Sequence, residues 1–141
     1  EYNMATAMMG LEGLLADGEP EISYRMAMRL ARLCSLANLN PHSVYDTVRD
    51  GYKIRSVLVH GGSLDHRETR KYARLHGSLE ALLQKNLQYL RLMVTLWFVA
   101  RLEKTKFLDL VDEAMWDTKK TAELESLITT HRESLGRLPT N

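Results

Sequence analysis

Basic residues barely outnumber acidic ones in this chain, 19 Lys and Arg against 18 Asp and Glu. A net charge of +1 excludes the broad cationic footprint of a protein that coats nucleic acid; only a local basic patch remains open to it. Cysteine occurs once, at Cys34, so an intrachain disulfide and a paired-thiolate metal site are excluded and a reducing compartment is expected. The three prolines and eight glycines sit at junctions, against disorder. The longest nearly uninterrupted apolar run, Leu92 to Ala100, is too short to span a bilayer. Glu1 to Gly10 has no basic stretch followed by an apolar core, so no secretory signal is read there. A cytoplasmic protein without a membrane partner is the expectation. Position 1 is Glu and not Met, which predicts either a piece of a longer protein, as its C-terminal part, or a processed chain.

Common catalytic signatures are missing as well. The chain has no P-loop, no Gly-rich dinucleotide turn, no His-Glu-x-x-His and no Cys-His cluster. Its histidines, at 42, 60, 66, 76 and 131, include no pair four residues apart. Neither a metal nor a cofactor is expected.

What is present reads as helix. With 141 residues, 45% of them hydrophobic, the chain can bury one core. An all-α, up-and-down bundle of five to six helices is predicted as a single domain over residues 1–135, with a frayed tail at 136–141. Met4 to Leu15 forms a Met- and Leu-rich first segment, closed by Asp17-Gly18-Glu19-Pro20. Pro20 suits the first position of a second helix running to about Ala37, with Ile22, Met26, Leu30 and Leu33 at helical spacing. Arg25, Arg29 and Arg32 lie on a neighbouring face, as a phosphate-tracking stripe or a solvated flank over the core. Arg29 can alternatively hold Asp46 or Asp50. Asn40-Pro41 starts a third helix that stops at Gly61-Gly62. Asp65, with Glu68 three residues on, forms a capping box. Helical patterning then continues to about Leu102, kinked or broken at Gly77, with Leu75, Leu79, Leu82, Leu83, Leu90, Met93, Val94 and Trp97 as its core side. Lys104 to Trp116 and Thr121 to His131 are shorter helices. Trp97, Phe98 and Trp116 are assigned to core or subunit interface. Cys34, on an apolar helix, is read as buried and inert.

One segment carries chemistry: Tyr52-Lys53-Ile54-Arg55-Ser56-Val57-Leu58-Val59-His60-Gly61-Gly62. An arginine and a histidine bracket an apolar run that ends on two glycines. A histidine titrates near neutrality and serves as acid or base. A guanidinium stays charged and offers a planar fork to phosphate oxygens. Five residues turn an ideal helix through about 140°, so Arg55 and His60 converge only if the glycines swing the imidazole back or if they meet across a dimer. The bland alternative is a structural pair, an ion-paired arginine and a histidine capping carbonyls.

In this segment the sequence resembles the HEPN (higher eukaryotes and prokaryotes nucleotide-binding) domains, in particular the Apea-like branch. Arg55-x4-His60 matches that family's Arg-x4–6-His pattern, and Tyr52 and His60-Gly61-Gly62 match the Apea-like version. The likeness covers roughly Ile22 to Trp116. It implies a metal-independent endoribonuclease in a bacterial toxin or antiphage setting, working as a homodimer whose protomers contribute motifs to one cleft. His60 is then the general acid/base and Arg55 stabilises the phosphoryl transition state, with Ser56 and Tyr52 in support. Ser56 departs from the Asn, Asp or His that many active members carry after the arginine. The segment His66 to His76 is the most basic on the chain, and Arg67, Arg70, Lys71 and Arg74 are its candidate RNA contacts; an ordinary exposed helix is the alternative. Tyr52 and Tyr72 can stack a base or pack in the core. Two rival readings stand beside the nuclease: a non-catalytic RNA- or nucleotide-binding dimer module of a larger sensor, and a helical adaptor.

Overall fold

Helix boundaries fall where the capping residues lie. The computed structural model describes residues 2–18 and 20–131; these form seven helices and no strand. They are α1 (Tyr2–Leu15), α2 (Ile22–Leu36), α3 (Pro41–Val59), α4 (His66–His76), α5 (Leu79–Ala100), α6 (Lys104–Glu113) and α7 (Thr118–Thr130). The all-α class is as expected, and the count of five to six is corrected to seven. Gly77 separates α4 from α5 outright, at φ +88°, and the Ser78 hydroxyl accepts the Ala81 N–H at 2.9 Å to start the next helix. Asn40 Oδ1 accepts the N–H groups of His42 and Ser43 at 3.0 and 3.1 Å. Asp65 and Glu68 close the capping box in both directions, at 2.7 and 3.2 Å, satisfying N–H groups that a helix start leaves orphaned. Pro20 is not the first residue of α2. Glu21 intervenes as N-cap in a left-handed conformation at φ 61°, so the helix begins at Ile22. The predicted tail 136–141 lies outside the described residues. No helix among the described residues is long and apolar enough to cross a membrane.

α1 packs against α2, α3 and α5, and its Ala7, Met8, Leu11 and Leu15 are among the most buried side chains. Contacts advance in step: Met8 meets Gly51 and Glu12 meets Arg55, so α1 and α3 run in the same direction. Gly51 lets them approach. A Cβ there would lie 2.8 Å from Met8 Sδ and 2.9 Å from Asn86 Nδ2. Both neighbours are fully enclosed, and the Asn86 amide already donates to Leu82 O at 2.9 Å. Gly51→Ala is therefore expected to cost about 1–3 kcal/mol by overpacking, read as a lowered urea midpoint with unchanged slope.

Arg29, the middle of the three arginines of α2, is buried, so they form no continuous phosphate stripe, while Arg25 and Arg32 stay partly exposed. Arg29 is 1% exposed. Its Nε and Nη2 donate to the two carboxylate oxygens of Asp112 at 2.8 and 2.6 Å, Nη2 also donates to Asp17 at 2.6 Å, and Nη1 to Leu15 O at 2.5 Å. Hydrogen bonding to Asp112 outweighs burial and raises the guanidinium's pKa. Arg25 joins Asp17 at 2.9 Å, and Arg32 reaches the Thr121 hydroxyl at 2.6 Å. Asp46 and Asp50, the partners expected for Arg29, go instead to His42 and His76. The network ties α2 to α6 and to the α1–α2 connection.

Other corrections concern the apolar pattern. Leu75 and Val94, assigned to the core side, are exposed; Phe98 and Trp116 are exposed too, which leaves the interface alternative of their core-or-interface assignment. The buried stripe of α5 is Leu82, Leu83, Asn86, Tyr89, Leu92, Met93 and Leu96, and Val94 points away from it by one helical step. Trp97 packs edge-on against Phe107, centroids 5.8 Å apart. Cys34 is fully buried, and desolvation pushes its thiol up to about 12, so it stays protonated and unreactive.

Candidate functional site

The last two turns of α3 carry the motif. A Schellman arrangement closes the helix: Gly61 N–H donates to Leu58 O at 3.1 Å and Gly62 N–H to Val57 O at 2.9 Å, with Gly61 at φ +76°. Only glycine takes that conformation without strain. His60 is the C-cap, at φ −85° and ψ 14°. Its backbone thus continues the helical path, and the chain swings only after it. The imidazole is exposed and makes no hydrogen bond or ion pair among the described residues.

Arg55 faces α1. Its Nη2 lies 3.2 Å from Glu12 Oε2, and its guanidinium carbon sits 5.5 Å from the Tyr52 ring centroid. Tyr52 is half-buried against the core, so it braces the guanidinium in place of stacking freely. Ser56 lies one turn before His60, on the histidine's side of α3, and its carbonyl accepts the His60 N–H at 3.2 Å. No hydrogen bond or ion pair joins Arg55 to His60 within the described chain. The two side chains leave α3 about 140° apart, as an unbroken helix dictates.

The basic helix forms a separate feature. Arg67, Arg70, Lys71 and Arg74 are all exposed and, with Asp65 and Glu68, line a cleft of about 730 Å³. Arg70 Nε is partly engaged by His66 O at 3.2 Å, and Lys71 lies 5.5 Å from the Tyr72 ring. Tyr72 itself is buried, which removes it as a base-stacking platform. Neither Arg55 nor His60 lines this cleft.

Two features escaped the sequence. Glu12 is one, because its partner is 43 residues away. The other is a cluster around buried Asp50, in which His76 Nε2 lies 3.0 Å from Asp50 Oδ2 and the exposed Lys53 places Nζ 3.1 Å from Asp50 Oδ1. The spacing of Asp50 and Lys53 on one helix face was a legible signal; His76 was not. Asp50 and His76 close one wall of a 280 Å³ cleft with Thr47 and Lys85. Burial works to raise the Asp50 carboxyl, but hydrogen bonds from His76 and Lys53 overcome it and hold the pKa below its ordinary 3.8. A carboxyl depressed on folding adds stability above its unfolded pKa and loses it as pH falls through the folded one. Stability is expected to drop in acid below about pH 4, and Asp50→Asn should flatten that drop in urea titrations across pH 2–6. Among the described residues no group of three His, Cys, Asp or Glu is placed to hold a metal ion.

The molecule is an all-α bundle with an arginine–histidine motif at a helix terminus and a cationic helix next in sequence. Comparison with family models, with curated proteins and with solved structures gives no match.

Proposed function

We propose that this chain is a metal-independent endoribonuclease of the HEPN type, Apea-like branch, cleaving RNA as a homodimer in a bacterial toxin or antiphage setting. The observation that carries the reading is the presentation of His60. Its imidazole stands exposed on a Schellman-capped helix end, five residues beyond a guanidinium braced by Tyr52 and Glu12. Because the two side chains diverge on one chain, the reacting phosphodiester lies between Arg55 of one subunit and the partner subunit's His60. Arg55 donates to the non-bridging phosphoryl oxygens, whose charge grows in the transition state. The imidazole supplies or takes the proton at the 5′- or 2′-oxygen. Ser56 sits beside His60 as a polar support. Arg67, Arg70, Lys71 and Arg74 hold the flanking backbone, with an affinity that falls as salt rises.

The test is labelled single-stranded RNA incubated in EDTA with wild type and His60→Ala. Cleavage that survives chelation, leaves a cyclic phosphate and falls about 10²–10⁴-fold in the variant supports the reading. RNA left intact by wild type overturns it. A second reading, a non-catalytic RNA- or nucleotide-binding module of a larger sensor, draws support from the ion pair that neutralises Arg55. It requires binding without cleavage, lost in Arg55→Ala.

A further inference from the structure

The ribonuclease reading leaves one proton unassigned. Attack by a 2′-hydroxyl needs a base beside the arginine that grips the phosphate, while the partner subunit's His60 is best used at the leaving oxygen. Glu12 occupies that position. Its Oε2 lies 3.2 Å from Arg55 Nη2, yet both Glu12 Oε2 and Arg55 Nε are buried and lack any hydrogen-bond partner. A structural Arg–Glu pair normally closes as two parallel hydrogen bonds. Here the charges are neutralised while one acceptor and one donor, both shielded from solvent, make no hydrogen bond. Both side chains keep surface in solvent, 20% for Arg55 and 25% for Glu12.

The other buried or half-buried carboxylates are committed. Asp50 is taken by His76 and Lys53; Asp17 and Asp112 are taken by Arg29. Among the described residues, Glu12 supplies the only buried carboxylate oxygen without a hydrogen bond. The parts of the two side chains that stay in solvent set a carboxylate beside a guanidinium. A ribose 2′-hydroxyl and its neighbouring 3′-phosphate are complementary to that pair.

We propose that Glu12 is the general base of the reaction, an inference that rests on the ribonuclease reading. The 2′-oxygen forms a bond to phosphorus as its proton passes to the Glu12 carboxylate. The P–O5′ bond breaks, and the leaving oxygen takes a proton from the imidazolium of the partner subunit's His60. The products are a 2′,3′-cyclic phosphate and a 5′-hydroxyl end; no water is consumed. Glu12 ends protonated and the imidazole neutral, and proton exchange with solvent restores both. Arg55 bridges the two roles, orienting the carboxylate and stabilising the phosphoryl oxygens.

Glu12→Gln keeps size and shape and removes the basicity. Three quantities are measured: single-turnover cleavage, affinity for the same RNA carrying a 2′-deoxy sugar at the cleavage position, and thermal midpoint. Cleavage is expected to fall about 10²–10⁴-fold with affinity retained or improved. Glu12→Asp, which keeps the carboxylate one methylene further back, should recover at least about tenfold over the glutamine variant; it also serves as the test should the glutamine variant unfold. A cleavage loss under about threefold, a gain in cleavage, or a loss matched by weaker binding overturns the base assignment and leaves the nuclease reading standing. An inactive wild type brings down both.

Discussion

Equal mixing of two inactive variants, Arg55→Ala and His60→Ala, is expected to restore RNA cleavage to about a quarter of the wild-type rate. The figure follows from a cleft that takes Arg55 from one subunit and the imidazole from the other. Random exchange makes half of the dimers mixed. Each mixed dimer holds one cleft with both groups intact and one with neither. The structural ground is the end of α3, where His60 continues the helical backbone before Gly61 turns the chain. The imidazole therefore cannot fold back over Arg55, which is held on the opposite side by Glu12 and Tyr52. Each variant alone should lose about 10²–10⁴-fold, so recovery stands far above background. Mixed protein as dead as its parents, alongside an active wild type, would sink the two-subunit cleft and require both groups to act within one chain.

Arg29→Ala is expected to lower stability by about 3–5 kcal/mol, the usual cost of breaking a buried charge network by removing one member. That approaches the whole stability of many small domains, so the variant should sit near its unfolding midpoint at 37 °C. The loss has three sources. Asp112 and Asp17 face each other across the emptied site, Leu15 O loses its donor, and a cavity opens between α2 and α6. Arg29→Met fills the volume and should lose less; Asp112→Ala should also lose less, because Asp17 still neutralises the guanidinium. The carboxylates are about a quarter exposed, so solvent screens part of their repulsion and the lower end of the range is expected. Urea denaturation of the three variants gives the order. If Arg29→Ala costs under about 1 kcal/mol, the network is a surface ion pair in energetic terms.

Local signals carried most of the helix pattern. Asn40, Asp65 with Glu68, and Gly61-Gly62 each act through backbone groups within five residues, so their meaning is complete in a short stretch of sequence. Gly77 was legible as a kink or a break, and only the structure shows two helices meeting there. Hydropathy misplaced Leu75 and Val94, because apolar side chains beside a core stripe share its composition without sharing its direction. Arg29 was misjudged for a related reason. An arginine face reads as solvated unless its counter-charges are visible, and those of Arg29 lie 12 and 83 residues away.

By itself, the sequence determined an all-helical chain, where most helices start and stop, and that Arg55 and His60 bracket the end of one. Caps, glycines and periodicity act over one or two turns, and a one-dimensional pattern suffices to write them. Tertiary structure alone decided that Glu12 meets Arg55, that Asp50 meets His76, and that Arg29 spends its charge inside the bundle. Each of those pairings joins helices far apart in the chain, and only packing brings such helices within hydrogen-bonding distance.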